Sequence, residues 1–552
     1  MRLPDFEILS ARQYLHLKYS HNLRFEFRAR PLSHSIMTIA SEISTQNMIA
    51  YLLISGAAIL LYQLFATLRL VYRPDLASLP GPFWAKFTGF YRVYRLWSGQ
   101  APAVYLDLHD KYGPIVRTGP NTVSLSDPSV IPTIYGISSS FIKSEFYNTM
   151  TPYFEDKLMP SMFTTRDPVE HKALKRPVAG KFSMTSIRTM EPLVDEISEL
   201  FIQAMNDLEG QKVDLGTWLQ WYAFDVIGMI TFNRRFGFIE YRKDVMGMIS
   251  DIEAGLKYAS IAGQVPYLHP WLCGNQFMMK NLEKIPSLHL PNPLFTIVEF
   301  AQECIDQYDR DEKAGVTKKA SDFLAFLRLE EKKNKDSMPH KDLINHLSNN
   351  MLAGSDTTAI SLRAIFYFII KTPNTYKRLQ EEIDAADRAG KLSEFVTYGE
   401  SLELEYLQVV MKEAMRCHPG VSYPLERLVP EGGMEICGVT LERGTNVGIN
   451  PVVVHHDRSI YGNDAAIFRP ERWLEADSEQ IKIMDRTLLT FGYGSRSCIG
   501  KNISIMEMGK FVPQILRQFD VFWASEKPEW SVGTYWFAKQ SDMAVRFQSR
   551  SK

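Results

Sequence analysis

An uncharged apolar segment from Met48 to Leu68 constrains this chain more than any other stretch (MIAYLLISGAAILLYQLFATL). About twenty such residues suffice for a helix to cross the hydrocarbon core of a bilayer. Arg69 and Arg73 follow directly, and positive residues beside a span tend to stay in the cytoplasm. A cleaved signal peptide is the alternative, but signal peptides have shorter apolar cores and a small-residue cleavage site. We therefore predict a transmembrane anchor over residues 47–69, with the large C-terminal part facing the cytosol.

The regions on either side of the anchor differ in character. Residues 1–46 are an N-terminal extension with basic residues on the side that the positive-inside tendency disfavours. We hypothesise that translation begins at Met37, so that part of this extension is not translated. Residues 70–82 include Leu79-Pro80-Gly81-Pro82, whose two prolines predict a stiff connector. No repeat or further linker interrupts residues 83–552, which we interpret as one large domain.

Composition excludes several classes of protein. Of 552 residues, 45% are hydrophobic and 23% are charged, as in ordinary globular proteins. The formal net charge of -1 gives no broad positive field, so we expect no nucleic-acid partner. The five cysteines are widely spaced and form no C-x-x-C pair, which argues against a disulfide framework and against a structural zinc site.

The spacing of apolar residues predicts a mainly α-helical domain. Apolar side chains recur every three or four residues in four stretches: Ile187 to Leu208, Lys341 to Lys371, Asn374 to Ala389 and Glu405 to Cys417. From Val421 to Val454 the pattern changes to short β-branched runs separated by glycines, which predicts hairpins of a small sheet.

A cysteine in a glycine-rich loop is the most informative chemical feature. Cys498 lies in Phe491-Gly492-Tyr493-Gly494-Ser495-Arg496-Ser497-Cys498-Ile499-Gly500, just before the apolar run Ile503 to Leu516. Glycines allow close backbone approaches, and amides at a helix N-terminus stabilise a thiolate. A lone cysteine is nevertheless more often a buried apolar residue beside a turn.

This loop resembles the haem-binding signature of the cytochrome P450 family, Phe-x-x-Gly-x-Arg-x-Cys-x-Gly. The match covers every fixed position: Phe491, Gly494, Arg496, Cys498 and Gly500. The resemblance implies that Cys498 is the axial thiolate ligand of the iron of haem b. It also implies that Arg496 contacts a haem propionate and that Phe491 packs over the sulfur side.

A second match lies inside a predicted helix, at Ala353-Gly354-Ser355-Asp356-Thr357-Thr358. Glycine and paired threonines are poor helix formers, so we expect a local distortion there. In the family this acid–alcohol pair lies beside the oxygen-binding face of the haem. The resemblance assigns Thr357 a hydrogen bond to the bound oxygen, and Asp356 the relay of protons.

A third resemblance joins two distant motifs. Glu413 and Arg416 share a helical face at a spacing of three residues, and Arg472 lies in Phe468-Arg469-Pro470-Glu471-Arg472-Trp473. Family members link these three residues in a structural network. Such a network is buried and charge-paired, so removal of one partner costs on the order of 3–5 kcal/mol.

Two further segments resemble haem-propionate contacts. Arg427 stands where the family places an arginine of its small sheet. His171 and Lys175 stand where it usually has Trp or His followed by Arg. Lysine neutralises a carboxylate only as a point charge, so either Lys175 or Arg176 makes the contact. A solvated basic helix face is the alternative interpretation of these residues.

The resemblance implies a helical prism with a small β-rich lobe, one membrane helix, and a haem-thiolate monooxygenase acting on an apolar small molecule. The expected location is the endoplasmic reticulum membrane. The expected electron donor is NADPH-cytochrome P450 reductase, with cytochrome b5 as a possible helper. Tyr423-Pro424-Leu425-Glu426-Arg427 and Phe141-Ile142-Lys143-Ser144 are similar to the fungal pisatin-demethylase-like branch, whose members often serve specialised metabolism. This branch suggests a terpenoid, polyketide or alkaloid substrate.

By the same resemblance, the pocket walls are Gly136 to Met162, Ile252 to Tyr267, the region of Asn349, Val421 to Tyr423, Tyr535 and Trp536. These stretches are largely apolar, which suits a pocket that binds by burial. Two alternatives remain open: a thiolate-haem isomerase or dehydratase, and a non-catalytic haem sensor or membrane scaffold.

Overall fold

The computed structural model describes residues 45–151, 153–154, 157–275, 277–278, 281, 293–316, 322–333 and 338–550. Met37 and almost all of the predicted N-terminal extension lie outside these ranges. Residues 67–552 form one compact unit, and residues up to Ala66 belong to a second. The predicted connector, residues 70–82, lies within the larger unit, where the Arg117 amide donates to the Pro80 carbonyl at 2.8 Å.

Helices dominate the described residues. They are α1 Thr45–Val71, α2 Pro74–Ala77, α3 Phe90–Leu96, α4 Ala101–Tyr112, α5 Ile131–Tyr135, α6 Pro168–Lys175, α7 Met184–Arg188, α8 Glu191–Asp207, α9 Leu215–Phe232, α10 Phe238–Tyr241 and α11 Met248–Ala262. The remaining helices are α12 Pro293–Lys313, α13 Phe323–Lys333, α14 His340–Lys371, α15 Pro373–Arg388, α16 Tyr398–Leu402, α17 Glu405–Cys417, α18 Pro451–His455, α19 Arg458–Tyr461, α20 Arg472–Glu475, α21 Ser478–Thr487 and α22 Lys501–Gln518.

Helix α1 contains the predicted anchor. Its part from Ala50 to Val71 has a mean hydropathy of 1.8 and is not buried by the rest of the protein. In the part of the chain that the structure describes, it is the one helix long and apolar enough to cross a membrane. The prediction of a single apolar N-terminal helix is therefore confirmed.

Within the described ranges the strands are short and form five small sheets. They are β1 Ile115–Gly119, β2 Thr122–Leu125, β3 Ile142–Lys143, β4 Tyr153–Phe154, β5 Lys157–Leu158, β6 Val213–Asp214, β7 Arg427–Leu428, β8 Met434–Ile436, β9 Val439–Leu441, β10 Asn446–Ile449, β11 Phe519–Trp523, β12 Ser531–Tyr535, β13 Phe537–Ser541 and β14 Ala544–Ser549. The largest has the strand order β1-β2-β10-β7-β3, with β10 parallel to β2. The other sheets are β11-β14-β6 and the pairs β12-β13, β4-β5 and β8-β9. The predicted mainly helical fold with a small β-rich part is confirmed.

The prediction of short strands from Val421 to Val454 is correct except at the end of this region. Strands β8 and β9 are joined by Cys437 and Gly438, both at positive φ (50° and 75°), as in a type I′ turn. The stretch after β10 was predicted as sheet but is helix α18. Asn450 accepts a hydrogen bond from the Val452 amide at 3.0 Å, and Pro451 occupies the first turn. This cap outweighs the β preference of the valines that follow.

The predicted helical stretches are found, with one break. The stretch from Ile187 to Leu208 is divided between α7 and α8, because Pro192 stands in the first turn of α8 and begins a new helix there. Helix α17 has the predicted bounds, and α14 and α15 each differ from prediction by about one residue.

The acid–alcohol segment does not interrupt α14, contrary to the predicted local distortion. The helix is continuous, and a Cβ at Gly354 would lie 2.7 Å from Cδ1 of Ile227 in α9. The glycine therefore permits close packing of α14 against α9. The hydroxyls of Ser355 and Thr357 donate to carbonyls four residues earlier, a bond that slightly destabilises helices and often bends them without breaking them.

A buried carboxyl in α22 gives a first testable prediction. Glu507 is 1% exposed, and its Oε1 has no hydrogen-bond partner among the described residues. Burial raises the pKa of the Glu507 carboxyl well above the usual range. The carboxyl therefore binds its proton more tightly in the folded protein than in the unfolded chain. Stability then falls as pH rises above the unfolded pKa of about 4.3, by roughly 1.4 kcal/mol per pH unit until the native pKa is reached.

We expect Glu507→Gln to remove this dependence and to be more stable than the parent at neutral pH. Chemical unfolding of both proteins between pH 5 and pH 8 checks it, and parallel pH profiles would contradict it.

Candidate active site

The cysteine loop connects α21 to α22, and its backbone is tightly held. The Cys498 amide donates to the Phe491 carbonyl at 2.8 Å, which brings the two ends of the loop together. Gly494 has φ +61°, and a Cβ there would lie 2.0 Å from the Tyr135 carbonyl oxygen. Only glycine fits at this position, because any side chain would collide with backbone.

Surrounding protein atoms and backbone amides act in opposite directions on the Cys498 sulfur. Its side chain has accessible surface, yet surrounding protein atoms raise the pKa of the thiol by desolvation, against hydrogen bonds from the Gly500 and Lys501 amides. No group of three or more His, Cys, Asp or Glu side chains that could hold a metal occurs among the described residues. A metal ion bound at this sulfur would displace the thiol proton.

Four predicted cofactor-binding residues line one cavity of about 430 Å³: His171, Lys175, Arg427 and Arg496. None of the four makes an ion pair with a carboxylate within the described ranges. Burial and the charge of Arg427 lower the pKa of Arg496 to about 10. Burial and the charges of Arg496 and Lys175 lower the pKa of His171 to about 4.

Arg427 and Arg496 repel each other, and neither they nor Lys175 has an ion-pair partner among the described residues, so the cavity suits a ligand that carries carboxylates. The two propionates of haem meet that requirement, and the Cys498 thiol would supply a ligand to its iron. The residues present therefore fit a haem.

The positions of Lys175 and Arg176 indicate which of the two is better placed to contact a haem propionate. Both side chains line the cavity. The Lys175 Nζ also donates to the Ser495 carbonyl at 3.3 Å, within the cysteine loop. Arg176 is exposed. Lys175 is therefore the better placed of the two to contact a bound anion.

Lys143 is a buried basic residue to which the sequence analysis assigned no role at the site. It is 5% exposed, its Nζ donates to the Phe163 carbonyl, and it lies 4.1 Å from the ring centroids of Tyr147 and Phe163. Burial, and then the charges of Arg427 and Arg496, lower its pKa well below the usual range. A lysine embedded in the aromatic run Phe141 to Tyr147 was the available signal.

The acid and the alcohol of the second motif point to different sides of α14. The Thr357 hydroxyl donates to the Ala353 carbonyl at 2.7 Å, on a face where Ala353 is exposed and Thr357 half-buried. Asp356 is buried and accepts a hydrogen bond from the amide of Gln220 in α9 at 2.5 Å. Burial raises the pKa of Asp356, although the bond from Gln220 opposes the shift.

The third motif forms a closed ionic network. Arg416 donates to both carboxyl oxygens of Glu413, at 2.8 and 2.7 Å, and both side chains are fully buried. Arg472 donates to Glu413 Oε1 and Trp473 to Oε2, each at 2.8 Å. Burial opposes ionisation of Glu413, but these donors outweigh it and lower the pKa of the carboxyl.

His455 connects this network to the cysteine loop and was not anticipated from the sequence. Its Nδ1 contacts the Arg416 carbonyl at 3.0 Å, and its Nε2 accepts from the Leu489 amide at 2.8 Å. The two contacts define a neutral ring protonated on Nδ1, and burial lowers its pKa to about 3. Leu489 lies two residues before Phe491, so the network supports the start of the loop.

A mainly helical fold, a cysteine in a glycine-rich loop and basic residues in the cavity beside that loop are the features of a haem-thiolate protein. The family model of cytochrome P450 matches residues 79–538. The chain belongs to the cytochrome P450 family, whose members carry haem with an axial cysteine thiolate.

Curated relatives from fungi are similar along most of their length. The chain is 38% identical to cytochrome P450 monooxygenase cicH of Emericella nidulans over 483 residues, which are 87% of this chain and 95% of the relative. It is 39% identical to a cytochrome P450 monooxygenase of Aspergillus terreus over 452 residues, 81% and 90% of the two chains. It is 35% identical to gsfF of Penicillium aethiopicum over 481 residues, 86% and 94% of the two. The protein is thus a P450 monooxygenase that takes electrons from a redox partner and acts on a small molecule.

Proposed function

We propose that this protein oxidises an apolar terpenoid, polyketide or alkaloid in fungal secondary metabolism, with Cys498 as the haem ligand. The observation that carries the site assignment is the convergence of His171, Lys175, Arg427 and Arg496 on one cavity beside the cysteine loop. Lys175, Arg427 and Arg496 would neutralise the haem propionates, and the neutral ring of His171 would donate a hydrogen bond to one of them. The bound haem supplies the activation of O2, and the protein residues position the reactants and move protons.

The protein groups divide this work between two sides of the haem. On the ligand side, the Gly500 and Lys501 amides stabilise charge on the Cys498 sulfur, while Glu413, Arg416 and Arg472 are a structural network. On the other side, the Thr357 hydroxyl would turn from the Ala353 carbonyl to donate a hydrogen bond to oxygen, and Asp356 would carry protons inward. A proton donor held in position contributes about a hundredfold or more to such a step.

An aromatic cluster supports an apolar substrate. Phe146 lies 5.2 Å from Trp536 and 6.5 Å from Tyr423, measured between ring centroids, and Tyr147 lies 5.6 Å from Phe163. These residues come mostly from three of the predicted pocket walls and lie beside Lys143. Tyr535, by contrast, donates from its hydroxyl to the Trp97 carbonyl on the exposed side, so it is not part of the cluster.

Exposed aromatic residues support membrane attachment. Side chains with more than half of their surface exposed follow α1 closely: Tyr72, Phe83, Trp84, Phe90, Tyr94 and Trp97. Tyr and Trp prefer the interface between lipid and water. We infer an endoplasmic reticulum anchor in α1, with NADPH-cytochrome P450 reductase as the cytosolic electron donor and cytochrome b5 as an auxiliary.

The experiment that tests this proposal is expression of the full chain in microsomes together with the reductase. The host's own pathway intermediates are added with NADPH, and products are identified by mass spectrometry. We expect oxidised forms of an apolar intermediate. Turnover of small hydrophilic acids alone would contradict the proposal.

Substitution of Thr357 by alanine tests the proposed proton step. We expect Thr357→Ala to bind haem and CO and to consume NADPH, while product formed per NADPH falls by about a hundredfold and hydrogen peroxide accumulates. Thr358→Ala is the matched control, because its hydroxyl is bonded to Ser504 at 2.8 Å and serves packing. Unchanged coupling in Thr357→Ala would contradict the assignment.

A further inference from the structure

The buried acid of the active site is held by a neutral side chain from another helix. Asp356 Oδ1 accepts from Gln220 Nε2 at 2.5 Å, and Oδ2 accepts no hydrogen bond among the described residues. Gln220 is itself 3% exposed and lies on α9, the helix against which α14 packs. One carboxyl oxygen is thus fixed, and the other is free to exchange a proton.

Arg363 determines which way the Gln220 amide faces. Arg363 Nη2 donates to Gln220 Oε1 at 2.9 Å, and its Nε and Nη2 also donate to the Gly216 carbonyl at 2.9 and 2.7 Å. An arginine has donors only, so the amide oxygen must face it. The amide NH2 is therefore directed at Asp356 and cannot flip without losing both bonds.

We propose that Gln220 is a positioning residue for oxygen activation: it holds the Asp356 carboxyl in one orientation, with Oδ2 available for proton transfer. This inference rests on the proposed role of Asp356. Asp356 and Thr357 are adjacent in sequence but face different sides of α14. Productive transfer therefore requires a fixed carboxyl on the α9 side, and rotation of an unheld Asp356 side chain would interrupt it.

Proton transfer through Asp356 can be measured without substrate, from the shares of O2 that are reduced to water and to hydrogen peroxide. With reductase, one NADPH supplies two electrons, which together with two protons reduce O2 to hydrogen peroxide. Two NADPH supply four electrons, which with four protons reduce O2 to two water molecules. Because the water-forming branch needs further proton delivery, hydrogen peroxide released per NADPH consumed reports the relay.

We expect Gln220→Met to lower the water-forming share about tenfold, the factor that corresponds to one hydrogen bond. Gln220→Glu is a second variant that retains an acceptor for Arg363. In this variant the introduced carboxyl would face the carboxyl of Asp356. The two would share one proton, which would then not be available for transfer to oxygen. Gln540→Met is the matched control, because this buried glutamine donates to the Ile360 carbonyl of the same helix at 2.9 Å and is not bonded to Asp356.

Two further measurements separate positioning from a merely structural role. The infrared carboxyl band that Asp356→Asn removes should shift in Gln220→Met and not in Gln540→Met. In the Asp356→Asn background, Gln220→Met should have no additional effect on the peroxide ratio. An unchanged band and an unchanged ratio in both Gln220 variants would overturn the inference.

The same variants distinguish a failure of the positioning role of Gln220 from a failure of the proposed relay through Asp356. If Asp356→Asn lowers the water-forming share and the Gln220 variants do not, the positioning role alone is wrong. If Asp356→Asn leaves the share unchanged, the proposed relay function of Asp356 is wrong and the inference falls with it.

Discussion

Replacement of Cys498 by histidine should leave a haem protein whose reduced CO complex has lost its long-wavelength thiolate band. That band depends on sulfur coordination, and an imidazole ligand also lacks the electron donation that favours O–O cleavage. Monooxygenase activity should therefore be lost as well. The loop should still fold, because Gly494 and the bond from the Cys498 amide to the Phe491 carbonyl do not depend on the sulfur.

Absorbance spectra of the reduced CO complexes check this prediction. Cys273→Ser is the control, since Cys273 is a half-buried cysteine far from the loop in sequence, and it should keep the band. A Cys498→His protein that keeps the band would show that another cysteine is the ligand.

Replacement of Glu413 by alanine should cost about 3–5 kcal/mol of folding free energy, because buried Arg416 loses its counter-charge and buried Arg472 keeps only its ion pair with Asp464. A typical domain is stable by only ~5–15 kcal/mol, so we expect low haem content and early unfolding. Because His455 contacts both Arg416 and Leu489, we expect the loss of stability to extend to the cysteine loop.

Denaturant unfolding and haem content of the purified protein test this expectation. Glu479→Ala is the control, because its ion pair with Lys482 is largely exposed and such pairs contribute ~1 kcal/mol or less. Because the pKa of Glu413 is lowered in the folded protein, its stabilising effect should decline as pH falls below the usual range for Glu. A Glu413→Ala protein as stable as the control would contradict the network.

The fold and the cysteine loop were predictable because their signals are local. Helix α17 has the predicted bounds because one apolar face repeats without a break from Glu405 to Cys417. The loop could be identified because fixed glycines and one cysteine fall within ten residues.

What the sequence did not reveal depends on contacts between distant residues. His455 carries no local pattern and Lys143 only the aromatic run around it, and their importance follows from burial beside Arg416 and Arg427 respectively. The valines after Asn450 looked like a strand because the cap that begins α18 is a single side-chain contact. Gly354 suggested a distortion, whereas its actual constraint is Ile227 on another helix.

Incorporation of isotopic oxygen tests the central claim most directly. Microsomes containing the full chain and the reductase are supplied with NADPH, the identified substrate and ¹⁸O2, and the product is examined by mass spectrometry. A monooxygenase that uses Cys498 and Thr357 as proposed should place one ¹⁸O atom in the product and should require NADPH. A product that forms without NADPH and carries no ¹⁸O would contradict this account and identify an isomerase or dehydratase.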